Sequence, residues 1–257
     1  MERFRVALSA PILGVPVPDS ENPVLASPIG EVLIGVGGSN SCEAYTGRRD
    51  LDGIVSSFSE NLYRGLELRG CARVEVLEGG AGSPPLSLYA AVTSSLVYWV
   101  ASSHGEDLQP LEIVELARLS DPMAYDRSWQ PVLDAVRMSA SRGDAVVYRN
   151  EEESAYFKGP RLRVSLAGVE RVKPRISRES VGGDAYNALV HLAGIAVLEA
   201  AVRVREGDGL AGVVRDMKPL QEGLALAVWG VTPYGEDCVP IPDMPGSMSV
   251  VCIEDGG

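Results

Sequence analysis

The chain has 257 residues, 46% apolar and 23% charged. That is enough to bury a sizeable core, as one large domain or two small lobes, and it excludes a disordered chain. A net charge of −12 repels phosphate backbones and argues against a nucleic-acid partner.

Met1–Ala10 is short, strand-like and carries Glu2, Arg3 and Arg5, unlike a signal peptide. The Phe4–Ser9 alternation reads as a strand that Pro11 ends. Pro11 to Pro28 reads as a long polar loop, solvated on the simplest reading, in which Asp19 and Glu21 could line a substrate site. Glu31–Val36 is a second strand, stopped by Gly37-Gly38. Leu51–Arg69 repeats Ile54, Phe58, Leu62 and Leu66 at helical spacing and stops at Gly70. Ala72–Leu77 alternates as a strand. It leads into Glu78-Gly79-Gly80-Ala81-Gly82-Ser83-Pro84-Pro85, and a long apolar helix, Pro85–Ser102, follows. A helix start presents unpaired N–H groups and the positive end of a dipole, so this loop is a candidate phosphate cradle. Pro84 and Pro85 remove two of its donors.

Further along, Gln109–Leu119 and Trp129–Ser141 are helices and Ala145–Arg149 a strand. Glu151–Glu153 is an acidic turn. Arg161–Leu166 is a strand, and Gly168–Ser180 a charged connection. The apolar run Ala185 to Val204 contains Asn187, His191, Glu199 and Arg203, so it reads as a buried helix rather than a membrane span. Leu210–Trp229 is mostly helical with Pro219 as a kink or boundary, and Met248–Ile253 is a final strand. The pattern predicts an α+β sandwich of two lobes, residues 1–160 and a helix-rich 161–257. A soluble cytoplasmic protein with no membrane segment is expected.

Cys42, Cys71, Cys238 and Cys252 show no metal-ligand spacing and read as scattered thiols, so no metal site is expected from side chains alone. His104 ends a helix, where an imidazolium suits the dipole. His191 reads as a core histidine, Trp99, Trp129 and Trp229 as core, and Arg5, Arg137 and Arg149 as surface arginines. Walker, Rossmann and G-x-S-x-G signatures are missing from the sequence.

This order of elements resembles the GHMP kinase superfamily over most of the chain. Gly80-Ala81-Gly82-Ser83 is similar to the first part of that family's P-x-x-x-G-L-G-S-S-A-A motif, and the prolines then depart from it. Val132-Leu133-Asp134-Ala135-Val136, followed by Gly143-Asp144-Ala145-Val146, resembles the helix, glycine turn and strand around the family's catalytic aspartate. Ala10-Pro11 through Asp19 to Ala26-Ser27-Pro28-Ile29-Gly30 looks most like the archaeal pantoate kinase branch. Pro245-Gly246-Ser247-Met248 is a reduced form of the C-terminal glycine motif.

The resemblance implies ATP and Mg2+ as cofactors and phosphorylation of a hydroxyl on a small metabolite, such as the hydroxy acids pantoate or mevalonate. Gly79, Gly80, Gly82 and Ser83 would hold phosphate, Asp134 would accept the proton, and Asp19 and Ser27 would lie on the substrate side. A homodimer is a further possibility. The alternative is a catalytically silent protein of this fold that binds a metabolite or a protein partner; an ordinary surface carboxylate at Asp134 would suit it.

Overall fold

The computed structural model describes residues 1–150, 154–158, 161–232 and 235–254. Three strands come first: β1 (Glu2–Leu13), β2 (Val24–Ser39) and β3 (Glu43–Tyr45). Helix α1 (Arg49–Gly65) and β4 (Cys71–Glu78) follow, and the glycine loop then opens α2 (Pro85–Ser103). After α3 (Pro110–Ser120) a single 3-10 turn, Arg127–Trp129, runs into α4 (Gln130–Arg142), then β5 (Ala145–Tyr148) and β6 (Ser154–Phe157). The remainder is β7 (Val164–Arg171), a one-turn α5 (Arg178–Val181), α6 (Gly183–Glu206), α7 (Leu210–Trp229), β8 (Cys238–Pro242) and β9 (Ser247–Ile253).

The first sheet runs β3-β4-β2-β5-β6, with β1 paired to β2; the second runs β7-β9-β8. All pairings are antiparallel except β3 with β4. Helices α2 and α4 pack on each other and on β1 and β2. Both are buried almost throughout, α2 apolar on nearly every side and α4 with Asp134 and Arg137 among its buried residues, as helices between a sheet and other helices. The hydroxyls of α2 bond back to its own carbonyls, Thr93 to Tyr89 (2.8 Å) and Ser95 to Ala91 (2.8 Å).

Several expectations are corrected here. Pro11 lies inside β1, which continues to Leu13. It is tolerated because β1 pairs on one side only, and the register shifts beside it. Gly37 and Gly38 stay in β2, held by pairing with β4. Residues 14–23 form a buried strap with only Asp19 exposed at its tip. Gly14 N–H donates to Gln221 Oε1 (3.2 Å), Trp229 Nε1 donates to Pro16 O (2.8 Å), and the Tyr186 hydroxyl donates to Pro18 O. Pro219 sits inside an unbroken α7. The four cysteines are not thiols: Cys42 pairs with Cys71, and Cys238 with Cys252 across β8 and β9. Arg137 is wholly buried and His191 is exposed, the reverse of expectation. Helix α6, expected to be buried, has an outer face in solvent; by length and composition alone it could cross a membrane. His104 caps α2 as anticipated, its Nδ1 2.8 Å from Val100 O. The acidic turn 151–153 lies outside the described residues.

Candidate functional site

The strand–loop–helix arrangement expected around the glycines is present. Gly79, Gly80 and Gly82 all have positive φ, which side chains resist. At Gly79 a Cβ would stand 2.6 Å from the Glu31 carbonyl, so only glycine lets β4 leave the sheet there. Ser83 closes the turn on itself, its Oγ donating to Gly80 O (2.7 Å) and its N–H to the same oxygen (3.2 Å). Arg48 Nη1 holds Ser83 O at 3.3 Å.

The helix start beyond the loop is already filled. Pro84 is the N-cap and Pro85 the first helical residue, so Leu86 carries the first helical N–H. It donates to Asp243 Oδ1 at 2.6 Å. Asp243 sits in the turn between β8 and β9, fully buried, and accepts also from Met244 N (2.8 Å) and from the Ser249 hydroxyl. Burial pushes its pKa up, against the lowering effect of these donors. A carboxylate of the chain itself thus takes the anion position at the α2 dipole. The sequence reading missed Asp243 because it stands 157 positions from Leu86, just ahead of the reduced glycine motif rather than in it.

Asp134 lies on α4, ahead of the left-handed Gly143 and β5, as the resemblance implied. It is not a surface carboxylate: it is 1% exposed. Oδ2 accepts from Arg118 Nη2 at 2.7 Å, while Oδ1 has no hydrogen-bond partner among the described residues. Burial drives its pKa up to about 6, against the lowering pull of Arg118 and Arg137. Behind it Arg137 and Asp121 form a buried ion pair (2.5 Å), to which Tyr89 (2.7 Å) and Tyr125 (3.2 Å) donate. Burial works against the Arg137 charge, yet Asp121 more than offsets this and holds its pKa above the usual value.

Asp134 forms part of the wall of a concavity of about 330 Å3 lined by Glu21, Arg118, Gln130, Tyr148, Arg149 and Asn150, among others. Arg118 Nη2 is 3.4 Å from the Tyr148 hydroxyl, and Arg149 Nε donates to Glu21 O (3.0 Å). With its amide oxygen facing Arg118, Gln130 accepts from Nε (3.0 Å) and Nη1 (3.2 Å). The result is a small polar cleft with two guanidiniums in its lining beside a buried carboxylate whose pKa burial raises to about 6, a combination suited to an anion that carries a proton to be moved.

The structure does not gather every expected residue here. Asp19 is exposed on the strap, its N–H 3.4 Å from Asp126 Oδ1. Ser27 is fully buried in β2 and donates to Pro28 O (3.4 Å). Gly79, Gly80, Gly82 and Ser83 do not line the Asp134 cleft, whereas Glu21, Arg118 and Arg149 do. Among the described residues no group of three or more His, Cys, Asp or Glu side chains is placed to hold a metal ion.

No family model matches the chain, and no curated protein matches it. Solved structures do. Mevalonate diphosphate decarboxylase from Staphylococcus aureus aligns with a TM-score of 0.58 at 12% identity, over 98% of this chain and 87% of its own. A mevalonate kinase aligns with a TM-score of 0.58 at 10% identity, over 99% and 92%. MDDEF in complex with MVAPP, AMPPCP and magnesium aligns with a TM-score of 0.58 at 11% identity, over 98% and 88%. The α+β chain described here shares the fold of these proteins.

Proposed function

We propose that the cleft over Asp134 binds a small anionic metabolite bearing a hydroxyl, and that the protein serves its ATP-dependent phosphorylation. The observation that carries this reading is Asp134 itself. It is a buried carboxylate beside a polar cleft, with one buried oxygen that has no partner among the described residues and a pKa raised by burial to about 6. Such a group is ionised at neutral pH and basic enough to take a hydroxyl proton. Arg118 and Arg149 supply the positive charge that orients a carboxylate of the substrate, in keeping with a hydroxy acid such as pantoate or mevalonate. Phosphoryl transfer asks little else of the protein beyond positioning and charge. ATP with Mg2+ would supply the phosphoryl group, and a protein of this fold is in complex with AMPPCP and magnesium. Loop 79–83 fits that role only in part, because Leu86 N–H is held by Asp243 and both prolines lack a donor.

The test is turnover of purified protein with Mg-ATP and a panel of small hydroxy acids, together with the Asp134→Asn variant. Phosphorylation by the wild type and its loss in the variant, with melting temperature retained, is the expected result. An active Asp134→Asn variant would overturn the assignment.

A second reading is favoured by Asp243: a protein of this fold that binds a metabolite without catalysing its phosphorylation. A rise in melting temperature with Mg-ATP but not Mg-AMP would reject it, since only ligands of the native state raise apparent stability. No rise with ATP, together with a rise from a hydroxy acid alone, would support it.

A further inference from the structure

The outer face of α6 has no role in the site above and is the least expected surface of the molecule. Leu192 is 43% exposed, Ile195 52%, Leu198 56% and Val202 44%. Ala188, His191 and Glu199 share that exposure. At helical spacing all seven lie within about 60° of Ile195 around the axis. Beside them a groove of about 660 Å3 is lined by Ile195 and Leu198 from α6 and by Pro23, Val147 and Ala155 from the first sheet and its strap, with Arg149 among its polar groups. Contiguous apolar surface of this kind on a water-facing helix marks an interface.

The order of residues along the stripe identifies the occupant. An antiparallel copy of α6 related by a two-fold axis through Ile195 would set Ala188 against Val202 and Leu192 against Leu198, with Ile195 against itself. His191 would face Glu199. Every apolar position meets an apolar one, and the one base meets the one acid near the axis. Isologous interfaces require this self-complementarity; chance partners do not produce it. The 24-residue helix spans about 36 Å, and Asp184 and Glu206, which would approach each other at its ends, lie far enough from the axis for the crossing of two helices to part them. A membrane surface fits poorly. Interfacial helices present Lys and Arg to the headgroups, whereas this face carries Asp184, Glu199 and Glu206 on a chain of net charge −12.

We propose that the chain forms a two-fold symmetric homodimer through antiparallel pairing of α6, with Ile195 on the axis and His191 of each subunit against Glu199 of the other. The groove beside α6 receives Leu192 of the partner subunit.

Sedimentation velocity and light scattering on the full chain at micromolar concentration test this. The wild type is expected to be a dimer. Ile195→Arg places two like charges on the axis and is expected to raise the dissociation constant at least about 100-fold. Its melting curve and circular dichroism report that the monomer still folds. His191→Glu alone is expected to weaken the dimer, and His191→Glu combined with Glu199→Lys to restore it. A monomeric wild type, or a dimer indifferent to Ile195→Arg, overturns the proposal. Failure of the double variant to recover overturns the register on which it rests. Binding of the wild type, but not Ile195→Arg, to phosphatidylcholine–phosphatidylglycerol vesicles would assign the face to a membrane and also overturn it.

Discussion

Asp243 and Asp134 are both buried, and burial raises the pKa of both. Their surroundings differ. Asp243 is surrounded by donors from its own chain: Leu86 N–H, Met244 N–H and the Ser249 hydroxyl. Asp134 has one side-chain partner, Arg118, and one buried oxygen with none among the described residues, and the residue borders an open cleft. A satisfied buried carboxylate fixes backbone, here the start of α2 against the turn between β8 and β9. A half-satisfied one retains capacity for a proton or a ligand, and native proteins rarely leave such a group without a reason. The dipole at α2, which the sequence advertised as the anion site, is therefore occupied from within. The carboxylate on α4 is the one whose hydrogen-bonding capacity the chain leaves partly unused.

The largest expected effect breaks or confirms this contrast directly. Asp134→Asn should lower kcat by about 100- to 10,000-fold, the usual contribution of a general base, while thermal denaturation shows no loss of stability. A variant that unfolds instead would make Asp134 a structural group like Asp243. Next comes Asp243→Ala, which strands two backbone N–H groups and a hydroxyl and should cost about 4 kcal/mol in urea unfolding. If Asp243 acts as an internal anion, Mg-ATP or inorganic phosphate should stabilise this variant more than the wild type. An Asp243→Ala variant as stable as the wild type would erase the distinction.

Titration separates the two groups further. The native Asp134 carboxyl, with a pKa of about 6, holds a proton that the unfolded chain has lost above about pH 4. Stability should therefore fall as pH rises from about 4 to about 6, by up to about 3 kcal/mol, and flatten above. Asp134→Asn should abolish that part of the profile and gain stability at neutral pH. Urea midpoints of both proteins across this range measure it; parallel profiles would show that Arg118 compensates the buried charge fully.

Much of the fold was legible because long apolar helices announce themselves. Helices α1, α2, α3, α4, α6 and α7 fall close to where periodicity puts them. Strands were less readable. Pro11, Gly37 and Gly38 look like stop signals, but pairing to neighbours distant in sequence carries β1 and β2 through them. Strands β3, β6 and β8 have three to five residues, too few to show a period. Burial was the least legible property. Nothing local says that Arg137 finds Asp121 in the core, that the prolines and valines of the strap are clamped by Gln221, Trp229 and Tyr186, or that α6 keeps its apolar stripe in solvent. The disulfides close separations of 29 and 14 residues that no spacing rule pairs. The placement of Asp134 on a helix ahead of a glycine turn and a strand is the one the resemblance implied, while its burial was not legible. Asp243 and Arg118 were not legible, because tertiary packing alone brings them to their places, whereas the loop of Glu21 could be named as a candidate lining without its partners being visible.

Ser83→Ala carries the smallest expected effect and gives the finest discrimination. In the structure its hydroxyl donates to Gly80 O and closes the glycine turn, a single hydrogen bond that contributes about 1 kcal/mol. If that is its whole role, the variant loses about that much stability and its response to Mg-ATP is unchanged. If the loop reopens to receive a nucleotide, the hydroxyl must leave Gly80, and Ser83→Ala would then weaken ATP binding by more than it weakens the fold. Parallel thermal-shift titrations of wild type and variant compare the two quantities on one instrument, and their ratio decides whether the glycine loop is a turn or a cradle.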